Sequence, residues 1–302
     1  MPVTCADLLK PIEEIVGGEA MLWPDGCYVN GSPGTVVKAL LVTWMADVSA
    51  LRKAVANKCN VVLCHESPSY NEKNELPPYR WLNPVNACAE KAWHPNRQRR
   101  MLIEKHRLTV MQCHYGLDRF PIYESFVEAI GLPAPRKGQG WEQVYRLPKA
   151  VTVAALAKTV KQRLRIAGTV RVTGDRRRKV QKVVSLWGGV GLYSNLYWLR
   201  RGIEHGADVA VAGEMDEFQM RFAAEAGIPV IETSHQLSEE IGLRHYAEVL
   251  RRRYRGLKVV SVAEGRPYWT AERLSEKSAQ VAPKVFLPWG KESSEEHSQG
   301  AT

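Results

Sequence analysis

The sequence predicts an α/β protein of two lobes with mostly parallel sheets, and three observations lead there. Short apolar runs bounded by polar turn residues recur along the chain, as strands buried on both faces do. Amphipathic segments of helical period alternate with them, the rhythm of a parallel sheet covered by helices. Four of the runs end alike: Val61–Cys64 runs into His65-Glu66, 109–113 into His114 and Asp118, Val209–Ala212 into Gly213-Glu214, and 229–231 into His235 and Glu239. Parallel sheets bind ligands beyond the carboxyl ends of their strands. Imidazoles and carboxylates delivered there repeatedly are what a divalent metal site needs.

Taken in order, the first lobe spans residues 1–135. Residues 36–43 read as a strand, and Asp47 caps a helix that carries Val48, Leu51 and Val55 on one face. The strand Val61–Cys64 follows. A proline-rich stretch at 68–96 reads as a long irregular excursion, of the kind that is usually functional or disordered. A helix at 97–106 feeds the strand at 109–113. The connection between lobes falls at 131–140, rich in glycine and proline. The second lobe spans 148–265 and opens with a helix bearing Val153, Leu156, Val160 and Leu164 on one stripe. A hairpin is expected next, 169–173 with 180–187, turning at Gly174-Asp175. Helix 195–205, strand 208–212, helix 217–226, strand 228–231, helix 239–253 and strand 257–262 complete it. Residues 266–302 form an extension whose acidic, serine-rich end is too polar to fold.

Bulk properties narrow the class. Apolar residues at 45% and charged residues at 25% are those of an ordinary globular chain. No run approaches the ~18 apolar residues of a bilayer span. Charges at Asp7, Lys10, Glu13 and Glu14 interrupt any export signal. Cysteines at 5, 27, 59, 64, 88 and 113 form no CxxC pair, which argues against a zinc ribbon and for reduced thiols in a cytoplasmic protein. The net charge of +10 permits polyanionic partners. The basic cluster at 176–179 nevertheless follows a turn, and the one at 251–255 closes a helix whose dipole favours cations. Nucleic acid is therefore not expected as the main partner, and no membrane is.

Each candidate site has a plain reading beside it. His235 and Glu239 share one helical face if the helix begins at Ser234, a ligand spacing that also arises by chance. His114 and Asp118 repeat that spacing, where a strand-end histidine and a helix cap would look the same. His65 and Glu66 point apart at a strand exit and so suit two neighbouring metals, or Glu66 is a solvated loop acid. Gly188-Gly189-Val190-Gly191 offers backbone N–H groups to a phosphate, or is simply a tight strand-to-helix turn. The nine tryptophans follow no spacing and read as core and interface residues.

Order and context combine these signals. The strand ending at Leu63-Cys64-His65-Glu66-Ser67-Pro68, the segment His114-Tyr115-Gly116-Leu117-Asp118, the Gly188–Gly191 turn, Gly206-Ala207-Asp208 leading to Ala212-Gly213-Glu214, and Ser234-His235-Gln236-Leu237-Ser238-Glu239 stand in a specific sequence. In that order the chain, from about residue 7 to 262, resembles the NGG-interacting-factor-three-like family of dinuclear metal proteins, also labelled GTP cyclohydrolase I type 2 homologues. The resemblance implies that His65, Asp118, His235 and Glu239 are metal ligands facing a cleft between the lobes. Glu66 stands where the family has a second histidine, and a carboxylate there still ligates. His114 matches a family position beside the metals, as a ligand's neighbour or a proton shuttle. Ring-shaped homo-hexamers are implied as well.

Five ligands, His65, Glu66, Asp118, His235 and Glu239, bring three carboxylates against the four charges of two divalent ions. The balance suits a hydroxide nucleophile. A carboxylate in place of an imidazole favours Mn, Fe or Mg, with Zn still competitive. The expected activity is hydrolysis of a small anionic or nucleotide-like molecule, phosphorylated substrates among them, with His114 or Glu214 moving protons. The alternative is a metal-bound oligomeric scaffold or regulator without turnover.

Overall fold

Why the strands lie where they do follows from their side chains. In the computed structural model, which describes residues 2–17, 25–70, 94–133 and 141–264, the central strands are buried on both faces, as their unbroken apolar runs require. In chain order the elements are α1 (Lys10–Val16), β1 (Cys27–Val29), β2 (Ala39–Thr43), α2 (Val48–Ala56), β3 (Val61–Cys64), α3 (His94–Lys105), β4 (Thr109–Gln112), α4 (Tyr115–Leu117) and α5 (Tyr123–Ala129). They continue with β5 (Val144–Thr152), α6 (Val153–Arg163), β6 (Lys179–Leu186), α7 (Leu196–Glu204), β7 (Val209–Ala212), α8 (Glu217–Glu225), β8 (Val230–Glu232), α9 (His235–Arg253) and β9 (Lys258–Ser261). Most of the 68–96 excursion, the 134–140 part of the connection, Cys88 and the extension from 266 lie outside the described residues.

Two mixed, mostly parallel sheets result. The first has the order β1-β4-β3-β2-β9 and the second β5-β6-β7-β8. Only the edge strands β1 and β5 run antiparallel to their neighbours. Alternation along each strand feeds three apolar layers. Leu40, Val42, Val61 and Leu63 of the first sheet share a central core with Val183, Val209, Val211 and Ile231 of the second, together with α1, α5, α6 and α9. Leu41, Val62 and Val110 point the other way, onto α2 and α3. Val184, Ala210 and Ala212 point onto α7 and α8. Each fully buried Leu or Val contributes about 1.5–3 kcal/mol, so these layers hold the strand ends in place. Asp47 caps α2 as the sequence predicts, its carboxylate accepting from Ala50 N–H at 2.6 Å.

Three local expectations change. Residues 169–173 do not pair with β6; Val172 bridges Ile231 of β8, and the partner of β6 is β5. The strand after α9 belongs to the first sheet, where β9 pairs with β2. The last long helix begins at His235 rather than 239, with the Ser234 hydroxyl accepting from Leu237 N–H at its N-terminus. Among the described residues no helix is long and apolar enough to cross a membrane. Cys5, Cys59, Cys64 and Cys113 are buried and Cys27 half-buried, all as free thiols.

Candidate metal centre

The carboxyl ends of strands from both sheets, with the first turn of α9, bring the predicted side chains together. His65 and Glu66 leave β3, with both backbone N–H groups donating to Trp44 O at 3.1 and 2.8 Å. That shared anchor sends the two side chains different ways. His114 and Asp118 follow β4, Glu214 follows β7, and His235 and Glu239 stand one turn apart at the start of α9. The helix N-terminus there favours negative charge.

Glu239 organises the geometry. Its Oε2 lies 3.5 Å from His65 Nε2, and its Oε1 lies 3.2 Å from His235 Nε2. Asp118 Oδ1 is 3.9 Å from His65 Nε2, and Glu66 Oε1 is 3.3 Å from His235 Nε2. Donor atoms about 2.0–2.2 Å from one tetrahedral ion stand about 3.3–3.6 Å from each other. Three sets converge within 4.8 Å: His65, Asp118 and Glu239; Glu66, His235 and Glu239; His65, Glu66 and His114. The structure thus holds buried histidine, aspartate and glutamate groups able to hold a metal ion.

The donors fit such an ion on independent grounds. His65 is fully buried, and neither of its ring nitrogens has a hydrogen-bond partner among the described residues. An orphaned buried imidazole is costly unless something else takes its lone pair. The pocket also demands positive charge. Burial pulls the His114 imidazolium down, but Asp118, Glu66 and Glu239 outweigh it and push it up to about 10. His235 is raised further still: burial opposes its charge, and Glu239, Glu214 and Glu66 overcome that opposition. Burial disfavours the Glu239 carboxylate, yet His235 and His65 hold it well below the usual carboxylate range.

Surrounding groups fix the donors' orientation. Glu214 Oε2 accepts from His235 Nδ1 at 2.8 Å, which leaves Nε2 facing Glu66 and Glu239. A carboxylate behind a histidine is the usual support of a metal-binding imidazole. His114 stacks on His65 with ring centroids 4.2 Å apart, its Nδ1 3.2 Å from Asp118 Oδ2. Sequence reasoning missed three further supports. The Trp44 indole N–H donates to Glu239 Oε2 at 2.6 Å, and that of Trp187 to Asp118 Oδ1 at 2.8 Å. Both oxygens of Asp25 accept backbone N–H groups, from His114 at 2.5 Å and Gly116 at 2.6 Å. Burial pushes the Asp25 carboxyl up to about 6 against those two bonds.

The glycine turn after β6 serves this packing. Gly188 has φ +50°, and a Cβ there would lie 1.8 Å from Glu239 Oε1. Only glycine lets the backbone pass that close to the carboxylate. Gly188 N–H itself donates to Ser238 Oγ at 2.8 Å rather than into open space, so the plain reading of this loop as a tight turn accounts for it.

The Duf34/NIF3 (NGG1p interacting factor 3) family matches residues 19–266. The chain belongs to this family. A GTP cyclohydrolase 1 type 2 homolog of Neisseria meningitidis serogroup B is 26% identical over 253 residues, covering 81% of this chain and 90% of that protein. Among solved structures, a Bacillus cereus protein related to NIF3 shares 14% identity with a TM-score of 0.69, covering 89% of this chain and 99% of that one. Staphylococcus aureus protein SA1388 shares 16% identity with a TM-score of 0.68, covering 90% and 100%. At such identities the structural likeness establishes the fold, and the family membership rests on the sequence match.

Proposed function

We propose that the chain is a metal-dependent hydrolase of small anionic or nucleotide-like molecules, working through two divalent ions in a cleft between its sheets. One observation carries the reading: Glu239 presents one oxygen to the set with His65 and Asp118 and the other to the set with Glu66 and His235. A carboxylate so placed is suited to two neighbouring ions. His65, Asp118 and Glu239 would hold one, and Glu66, His235 and Glu239 the other. Bound divalent ions supply Lewis acidity and activate water at neutral pH.

The chain's own groups do the rest. Trp44 and Trp187 each donate to the oxygen of Glu239 and of Asp118 that faces His65, and so fix the aim of both carboxylates. His114, with Nε2 3.9 Å from Glu66 Oε1, is placed to pass a proton to a leaving group. Glu214 is half-exposed and bonded to His235, so it can exchange a proton with solvent. An exposed aromatic patch, with Tyr193 at 48%, Tyr197 at 49% and Phe218 at 73% exposure, supports assembly into the homo-hexamer that the family resemblance implies.

The test is metal content and turnover in parallel. Wild type, Asp118→Ala and Glu239→Ala are assayed with Mn, Fe, Zn and Mg against nucleotides, phosphoesters and cyclic amides. The reading expects near-stoichiometric metal in wild type, a loss of metal in both variants, and turnover that disappears with it. Full metal retention by both variants ends the ligand assignment. Metal loss with no turnover on any substrate leaves the scaffold alternative in its place.

A further inference from the structure

Positive charge is unevenly placed on this chain. Residues 143–182 hold 12 of its 42 lysines and arginines but only one of its 32 acids, Asp175. The stretch carries a net +11 against +10 for the whole chain, so the other 262 residues are close to neutral.

In the fold most of the stretch gathers on the edge strand β5, the helix α6 that follows it and the turn leading into β6, whereas residues 169–173 run to the opposite edge of the sheet beside β8, where Arg171 pairs with Glu232. Val153 N–H and Ala154 N–H donate to Arg178 O and Arg176 O, tying that turn to the start of α6. Across the strand pair Arg146 lies opposite Lys182, and both are exposed. Like charges directly opposite each other destabilise a sheet. Nothing described offsets this. Of the 12 cations only Arg171 and Arg177 form ion pairs among the described residues. Asp208, just before β7, accepts with its carboxylate from the backbone N–H groups of Gln181 and Lys182. Arg163 and Arg178 are spent on backbone carbonyls.

We propose that this face binds the sugar–phosphate backbone of a double-stranded nucleic acid without reading its sequence. Phosphates would supply the charges the surface lacks. The one aromatic among residues 143–182 is Tyr145, and it is buried. The face therefore has no platform on which the bases of a single strand could stack, and no aromatic to enter a bilayer. The nine residues of β5 span at most about 30 Å, within one turn of a duplex. Apart from Arg171, which donates to Met215 O beside Glu214, the surface lies away from the metal centre. Lys179 opens β6 and Leu186 closes it two residues before Gly188, placing about 23 Å of strand between them.

The experiment is fluorescence anisotropy of a labelled duplex of about two helical turns with the full-length protein, titrated between about 50 and 200 mM salt. Binding is expected to weaken steeply with salt. The Lys149→Glu/Arg176→Glu pair is expected to weaken it at least about 10-fold and to flatten the log–log salt slope by about 2. Arg252→Glu/Arg255→Glu, an equal charge change at the end of α9 and in the turn after it, is expected to cost less than about 3-fold. Should the first pair misfold by circular dichroism, Lys149→Gln/Arg176→Gln replaces it with the same slope change expected. No binding by wild type, salt-independent binding, equal loss in the control pair, or tighter binding to the single strand or to phosphatidylserine vesicles would each overturn the proposal.

Discussion

Replacing Gly188 with alanine tests how tightly the centre is built. The new methyl carbon would stand 1.8 Å from Glu239 Oε1, where an ordinary carbon–oxygen contact is about 3.3 Å. Either the carboxylate or the turn must move by about 1.5 Å, against a tolerance near 0.2 Å for metal–ligand distances. The turn resists, because Gly188 N–H is held by Ser238 Oγ and its carbonyl accepts from Glu214 N–H at 2.9 Å. Glu239 therefore yields, and both donor sets lose a member. Supporting-group changes alone typically cost 10–100-fold in metal affinity, so at least about 100-fold is expected here. The φ of +50° adds about 1–2 kcal/mol of backbone strain, small enough to leave a folded apo protein. Competition titration with a chromogenic chelator reads the affinity, and thermal unfolding of the apo form reads the fold. A folded Gly188→Ala protein with wild-type metal affinity would show that Glu239 does not serve both sets.

Further outcomes follow from other contacts. Trp44→Phe removes the donor to Glu239 and Trp187→Phe the donor to Asp118; each is expected to weaken metal binding about 10–100-fold in the same titration with the fold intact. Lys10 and the backbone and hydroxyl of Thr4 hold the Asp7 carboxyl down at about 2. A lowered folded-state pKa gives stability that is present above about pH 4 and is lost as pH falls through about 2. Urea unfolding from pH 5 to 2 should thus show a steeper acid loss in wild type than in Asp7→Asn, and parallel curves would remove the pair from the account. Burial pushes the Cys5 thiol up to about 11 and that of Cys64 to about 12. In a Cys88→Ser background, native protein should therefore react with Ellman's reagent at Cys27 alone within minutes, and at all five thiols once denatured.

What the sequence revealed, and what it hid, has physical causes. The strand ends were legible because β3 and β7 are buried on both faces and so are written as pure apolar runs that stop at a turn or a polar residue, while β4, equally buried, keeps only Val110 and Met111 between Thr109 and Gln112. His114 with Asp118 and His235 with Glu239 were legible because a four-residue interval survives any fold that keeps the segment near-helical. By contrast β5 carries Arg146, Pro148 and Lys149, which argue against a central strand; it is an edge strand whose pairing with β6 breaks between Arg146 and Val151, where a proline is tolerated. The sheet joined by β9 was hidden because no local pattern names a partner. The 19 residues of α9 carry the chain about 28 Å from β8 in one sheet to β9 in the other. Asp25 went unseen because its partners are backbone amides 89 and 91 residues away, which any sequence supplies. The tryptophans were read as core and interface residues; the finding that Trp44 and Trp187 aim their indole N–H groups at two candidate ligands needed coordinates.

The account turns on cations bound where these donors meet, and anomalous diffraction shows that most directly. Crystals grown with Mn or Zn and measured on both sides of the metal's absorption edge should give two peaks. One is expected within coordination reach of His65, Asp118 and Glu239, and the other within reach of Glu66, His235 and Glu239. Anomalous density absent from both positions, in crystals whose solution-state protein is saturated with that metal, would contradict the account.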